Sequence, residues 1–197
     1  MTADDYGLIA ACLAGRTESF GALVTRYQDR LFNTVIRLVD NAEDARDIVQ
    51  EAFLNAYQSL YSFKGDSLFF TWLYRIAVNT AISYRRKQKV LLRLHKGGEE
   101  GGSVEPADPS EVSRPGHAIE MAEEERRLHE ALGRLSPEHR AVLVMKDLEG
   151  QKYEEMAEIL DVPIGTIRSR LHRARLELRD ILVKDKEERK PISEDTE

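Results

Sequence analysis

Cys12 is the only cysteine in 197 residues, which excludes an internal disulfide and any zinc site built from several thiolates. Its neighbours Leu8, Ile9 and Leu13 are apolar, so the thiol reads as a small buried hydrophobe. No apolar run approaches the roughly 20 residues that cross a bilayer, so membrane insertion is not expected. The opening residues, MTADDYGLIAACLAG, begin acidic and carry no basic stretch ahead of their apolar segment. They do not read as a secretion signal, and the expected compartment is the cytoplasm. The histidines (His95, His117, His129, His139 and His172) are scattered, and none pairs with cysteine or an acid at ligand spacing. No glycine-rich phosphate loop follows a strand pattern. Metal, cofactor, small-molecule substrate and enzyme active site are therefore all unexpected.

Positive charge is not abundant, but it is concentrated. The net charge is -6, from 29 Lys and Arg against 35 Asp and Glu. Yet Leu68 to Lys96 holds Arg75, Arg85, Arg86, Lys87, Lys89, Arg93 and Lys96 with no acid among them. Aromatics share this stretch, in FKGDSLFFTWLYRIAVNTAISYRRKQK from Phe63 to Lys89. Cations neutralise phosphates and rings offer stacking faces to unpaired bases, the combination a single-strand groove needs. A second cluster, Arg168, Arg170, Arg173, Arg175 and Arg179, lies far along the chain.

Helical periodicity dominates, and no segment alternates as a strand does. Phe20, Leu23, Val24, Tyr27, Leu31, Val35 and Leu38 recur at three and four residues, predicting a long amphipathic helix that starts at Thr17-Glu18 with the threonine as cap. Ala45, Ile48, Val49, Ala52, Phe53, Ala56 and Leu60 predict a second helix. A third, over about Phe69 to Lys87, is expected to bury Phe69, Trp72, Leu73, Ile76, Ala77 and Tyr84. From Gly97 to Pro115 the composition turns to Gly, Pro, Ser and acid, which cannot bury enough surface to offset ordering entropy. That stretch reads as a flexible linker, either simply solvated or a mimic of nucleic acid in a basic channel. Helical pattern resumes near Ile119. Ser136-Pro137-Glu138 then predicts a new helix start: capping hydroxyl, proline at the first position, acid in the first turn. The tail after Lys184 is charged, broken by Pro191, and expected to be disordered.

YEEMAEIL, DVP and IGTIRSRLHRARLEL have helix-turn-helix proportions. Ala157 allows a close crossing, Ile159, Leu160, Ile167 and Leu171 fill the angle, and Pro163 fixes the boundary. Thr166, Ser169, Arg170 and Arg173 are expected to face outward, where arginine can bond guanine edges and hydroxyls can meet base or phosphate. The alternative is a solvated basic helix whose Arg175 and Arg179 oppose acids such as Glu177. On the second helix, Asp44, Asp47 and Glu51 share a face opposite Ile48, Val49 and Phe53, with Gln50 beside them; this is either a solvated face or a partner surface. Tyr61 to Ser67, which includes Phe63, Lys64 and Gly65, reads as a loop able to enclose a flipped base, with Asn79 placed to read its edge. Trp72 is either core or a stacking platform.

Together DARDIVQEAFLNAY, SFKGDSLFFTWLYRIAVNTA, LSPEHRAVLVMKDLEG and YEEMAEILDVPIGTIRSRLHRAR resemble the extracytoplasmic-function sigma factors of the sigma-70 family, close to the sigma-E subgroup. The resemblance implies an all-α protein with a sigma-2 domain at residues 1–95, a flexible acidic linker at 96–121, a sigma-4 domain at 122–184 and a disordered tail at 185–197. It implies a factor that directs core RNA polymerase to promoters in a stress or envelope response, with core polymerase, promoter DNA and an anti-sigma factor as partners. Asp44, Asp47, Gln50 and Glu51 would meet the polymerase clamp. Tyr61, Phe63, Lys64, Ser67 and Asn79 would capture a base of the minus-ten element, with Arg75, Arg85 and Arg86 on phosphates. Thr166, Arg168, Ser169, His172 and Arg173 would face the minus-thirty-five element. Two positions depart from the family pattern: Asn55, where relatives often carry a basic residue, and Lys152, where they often carry a Ser or Thr cap. A stand-alone helix-turn-helix regulator is the competing reading, but it leaves the acidic face and the aromatic-basic segment unexplained.

Overall fold

Eight helices make up most of residues 3–95 and 117–188, which the computed structural model describes. No strand occurs among the described residues, and none of their helices is long and apolar enough to cross a membrane. The first four are α1 (Ala3–Leu13), α2 (Glu18–Val35), α3 (Ala42–Gln58) and α4 (Phe69–His95). A 3₁₀ turn at Leu60–Ser62 and a short loop join the last two. The other four are α5 (His117–Arg134), α6 (Pro137–Leu143), α7 (Tyr153–Leu160) and α8 (Ile164–Glu188). The expected linker lies outside the described residues up to 116, and α5 is already helical at His117. At the other end α8 continues to Glu188, beyond the expected start of the tail; residues 189–197 are not described.

The first body forms because three apolar stripes meet. Leu23, Leu31 and Val35 of α2, Ala45, Ile48 and Ala52 of α3, and Phe69, Leu73 and Ala77 of α4 are all but sealed from solvent. The expected core of α4 needs correction. Trp72, Ile76 and Tyr84 are only half-buried, while Tyr74, Val78, Ala81 and Ile82 on other sides of the helix are buried. This helix is covered on two sides, by α3 and by the second body, so its buried surface is wider than one stripe. Thr17 precedes α2 as expected, but its side chain makes no capping bond. Asn41 caps α3 instead, its Oδ1 accepting from the Asp44 N–H at 2.8 Å. The N-terminal helix packs on α2; its buried Asp5 accepts from Arg26 and, at 2.6 Å, from the Tyr27 hydroxyl. Cys12 is buried and its thiol is pushed up by that burial, but Leu13 beside it is exposed.

In the second body the Ser136 signal holds: its Oγ accepts from the His139 N–H at 3.2 Å, with Pro137 in the first turn. Ser136→Ala should cost about 1 kcal/mol, read as a lowered urea midpoint. After α6 the chain widens into a π-helical turn at Val144–Leu148 and breaks at Gly150, whose φ of 70° suits glycine. The angle between α7 and α8 is filled by Met156, Ile159, Ile167, Leu171 and Ala174, with Ala157 and Leu160 packed at its edge.

The two bodies touch along α4, which lies against α6 and α7. At the centre of this seam Arg140 of α6 is 0% exposed. It donates to the carbonyls of Arg37 (2.8 Å) and Val39 (2.6 Å) and to Asp40 Oδ1 (2.7 Å), all on the segment between α2 and α3. Asp40 also accepts from Arg85 of α4, which donates onward to the Gly133 carbonyl of α5 at 2.8 Å. Although burial opposes it, the flanking Arg85 and Arg140 hold the Asp40 carboxyl below its ordinary range. His129 of α5 sits beside this cluster and is held below its ordinary value of 6.5 by burial and by Arg140, against a weaker pull from Asp40. Below 6.5 an unfolded His129 therefore binds more proton than the folded one, so stability should fall as pH drops from 7.5 towards 5.5. His129→Gln should flatten that slope in urea melts; an unchanged slope would assign it to other groups.

Candidate nucleic-acid interface

Three surfaces carry the predicted functional residues. The first is a groove beside α4, lined by Trp72, Arg75, Asn79, Lys87 and Tyr84 with Ser59, Ser62 and Glu51 opposite. Trp72, Arg75, Ile76, Asn79, Thr80, Ser83 and Lys87 recur at three and four residues and so form one helix face. Sequence reasoning assigned Trp72 and Ile76 mainly to the core and did not single out Thr80 or Ser83. The polar residues interleaved at that spacing were the signal available for the groove.

The loop above the groove is preformed. Tyr61 projects from the 3₁₀ turn at 81% exposure, and Lys64 is exposed. Phe63 is half-buried: it folds back edge-on against Phe69 (5.7 Å between centroids) and tilts against Trp72 (5.3 Å). Ser67 is half-buried and bonds its neighbour's carbonyl. Gly65 takes a φ of 80°, and its carbonyl accepts from the Tyr6 hydroxyl of α1 at 3.2 Å. The backbone there favours glycine, and a Cβ would lie 3.2 Å from the Tyr6 ring, which would have to shift to admit it.

The predicted phosphate and base contacts divide in two. Arg75 is exposed over the groove, 4.0 Å from Asp161 of the second body. Asn79 donates to the Ile159 carbonyl of α7 at 3.1 Å, and Arg86 pairs with Glu138 of α6. Arg85 is 5% exposed and committed to Asp40 and Gly133. Lys89 donates to the Leu135 carbonyl at 2.6 Å. In this arrangement the second body engages Asn79, Arg85, Arg86 and Lys89, while Trp72, Arg75 and Lys87 still line an open groove.

The second surface is the acidic side of α3. Asp47, Gln50 and Glu51 are exposed and contiguous with the groove through Glu51. Asp44 is different. Half-buried, it accepts from the Tyr84 hydroxyl at 2.5 Å and from Asn41 at 2.8 Å. Burial and this carboxylate raise the Tyr84 phenol to about 12. Asp44 thus fastens α3 to α4 as well as lying on the acidic side.

The third surface is the outer side of α8. Arg168, Ser169, His172 and Arg173 are exposed, and Thr166 and Arg170 are half-buried. Arg173 lies along its own helix, donating to the Ser169 carbonyl and hydroxyl at 3.3 Å each. Arg168 stands over the Tyr153 ring at 5.7 Å. Arg175 and Arg179 pair with Asp147 and Asp180, while Glu177 is engaged by His139 at 2.5 Å. These two arginines therefore oppose acids, though Asp147 and Asp180 rather than Glu177. Lys152 caps α7 only through its backbone, whose N–H donates to Glu155 at 3.1 Å.

Fold and surfaces define an all-helical protein of two bodies, the second carrying a helix-turn-helix. Residues 23–90 match the family model of Sigma-70 region 2 and residues 125–178 that of Sigma-70, region 4. The chain belongs to the sigma-70 family, within its extracytoplasmic-function group of sigma factors. It is 38% identical over 178 residues to the ECF RNA polymerase sigma-E factor of Escherichia coli (strain K12), covering 87% of this chain and 90% of the relative. It is 35% identical over 178 residues to the RNA polymerase sigma-H factor of Pseudomonas aeruginosa, with the same coverage of both chains. Among solved structures it is similar to the sigma factor RpoE in complex with the anti-sigma factor NepR from Bartonella quintana (TM-score 0.59, 26% identity, 84% of this chain and 97% of that one). It is also similar to CnrH in complex with the cytosolic domain of CnrY (TM-score 0.60, 26% identity, 92% and 99%).

Proposed function

We propose that this sigma factor acts, without an active site of its own, as a promoter-recognition subunit for core RNA polymerase in the cytoplasm. The observation that carries the reading is the joining of an exposed acidic helix face to an aromatic-basic groove on one body, with a basic helix-turn-helix on the other. Asp47, Gln50 and Glu51, with Asp44 behind them, form the polymerase contact. Tyr61, Phe63, Lys64, Ser67, Asn79 and the arginines Arg75 and Arg86 serve the minus-ten strand, with Arg85 held behind them by Asp40 and Gly133. Thr166, Arg168, Ser169, His172 and Arg173 read the minus-thirty-five duplex. Its relatives' complexes support an anti-sigma partner for this chain too, as in a stress or envelope response. The functional units in this reading are residues 1–95 and 122–184, wider than the family matches at 23–90 and 125–178, with the acidic linker 96–121 between them.

Run-off transcription on fragmented source DNA, with core polymerase present and this chain added or omitted, tests the reading. Discrete chain-dependent transcripts are expected. Their absence, together with no binding to core, would favour a stand-alone regulator. Arg173→Ala should weaken minus-thirty-five recognition by about 1–3 kcal/mol and relax base preference at one position. An unaltered preference in a footprinting titration would take Arg173 out of the base contacts.

A further inference from the structure

We infer that α1 is a positioning element for the loop at Tyr61 to Ser67, with Tyr6 as the positioning residue that holds the loop in the shape that takes up an unpaired base. The inference rests on the promoter reading for what the loop binds. The helix lies ahead of the stretch that matches the family model, which begins at residue 23. It buries Ile9 and Cys12, packs on α2, and also reaches the 3₁₀ turn at Leu60–Ser62. Burial does not account for Tyr6, which is 51% exposed. Its hydroxyl reaches across 59 positions to donate to the Gly65 carbonyl at 3.2 Å. Among the described residues this is the one hydrogen bond made by Lys64, Gly65 or Asp66. Without it, the middle of the loop would keep a backbone freedom that binding must then remove.

The residue before Tyr6 holds the loop from another side. Asp5 is 0% exposed and accepts from Arg26 and, at 2.6 Å, from the Tyr27 hydroxyl. The Tyr27 ring lies against Phe69 and Phe70, with centroids 5.9 and 5.4 Å away. Phe69 in turn carries Phe63, the loop's own aromatic, at 5.7 Å. Neighbouring residues on a helix point about 100° apart, so one turn of α1 can grip the loop at two places. One grip is on the backbone at Gly65, and the other runs from Asp5 through Tyr27 and Phe69 to Phe63. Lys64 lies between the two gripped residues and is exposed, as is Tyr61 on the turn before them. A loop held in this way presents both side chains in one arrangement, and little ordering cost remains when a strand arrives.

The test uses the full-length chain. Tyr6→Phe removes the hydroxyl and keeps the ring, while Tyr6→Ala removes both. NMR order parameters of Lys64, Gly65 and Asp66 should stand at about 0.85 in the parent and fall below about 0.6 in Tyr6→Ala, with Tyr6→Phe between them. In Tyr6→Phe the order of α2, α3 and α4 and the urea midpoint should stay as in the parent. Its affinity for a fluorescent oligothymidylate strand should fall about fivefold, the net worth of one hydrogen bond. In a Tyr61→Ala background the same substitution should cost less, because both changes act through the loop. Equal loop order in the parent and Tyr6→Ala overturns the inference. So does an equal loss of affinity in both backgrounds, which would make Tyr6 a strand contact in its own right. A fall in order throughout the first body would also overturn it, leaving α1 as core alone. The promoter reading is judged separately, by run-off transcription with the parent chain: transcripts can fail to appear while loop and strand respond to Tyr6, and can appear while neither responds.

Discussion

Reversing both charges at Asp47 and Glu51 to lysine is expected to lower affinity for core RNA polymerase by about a hundredfold or more. Breaking close interfacial charge pairs costs roughly 2–5 kcal/mol, and each 1.4 kcal/mol is tenfold. The two side chains are exposed on α3, while the body-forming contacts of that helix come from Ala45, Ile48, Ala52 and Ala56 on its other side. Folding stability should therefore move by no more than about 0.5 kcal/mol. Titrating labelled chain with core, beside a urea melt, separates the two quantities. Equal core affinity for parent and double variant would remove this helix face from the interface. Asp44 is the wrong residue for the test, because its replacement would also release Tyr84 and loosen α3 from α4.

The second large effect is expected at Phe69. Its side chain opens α4 with 0% exposure, and it touches Phe63, Trp72 and Tyr27 with ring centroids 5.7, 5.8 and 5.9 Å away. Phe69→Ala removes the ring on which Phe63 rests and leaves a cavity among aromatics. Such truncations cost about 3–5 kcal/mol, a large part of the 5–15 kcal/mol typical of folded domains. The urea midpoint should fall accordingly. Oligonucleotide affinity should fall with it, measured where the variant remains folded. A loss below about 1 kcal/mol would show that the cluster closes over the missing ring and that Phe69 does not anchor the loop.

How far the fold could be read from the chain depended on how local the determining contacts were. The start of α6 needed only Ser136, Pro137 and Glu138, and α7 only its own period and the break at Asp161-Val162-Pro163; both fall where expected. The outer side of α8 was legible for the same reason. Arg85 and Arg140 were not. Arg85 sits in a run of basic residues that reads as solvent-facing, and its partners Asp40 and Gly133 are 45 and 48 positions away. Arg140 meets Val39 and Asp40 across 101 and 100 positions. No local pattern encodes such a meeting. The period of α4 failed for a related reason: a helix packed on two sides has two buried stripes, and Trp72 and Ile76 fell on the strip between groove and core. The helix α1 carried too short a pattern to be assigned, yet its Tyr6 bonds the Gly65 carbonyl of the loop before α4.

Under the proposed promoter reading, that last contact, Tyr6 over Gly65, bears on how fast a base would be captured. A loop already braced in the free protein needs no search for its binding shape once DNA arrives. Loop closure then contributes little to the barrier, and the slow event passes to the nucleic acid, which must unstack and swing a base out of the duplex. Capture should accordingly speed up on mismatched or pre-melted templates far more than on variants that merely stiffen the protein. The timing of strand opening would then be written in the promoter's own sequence.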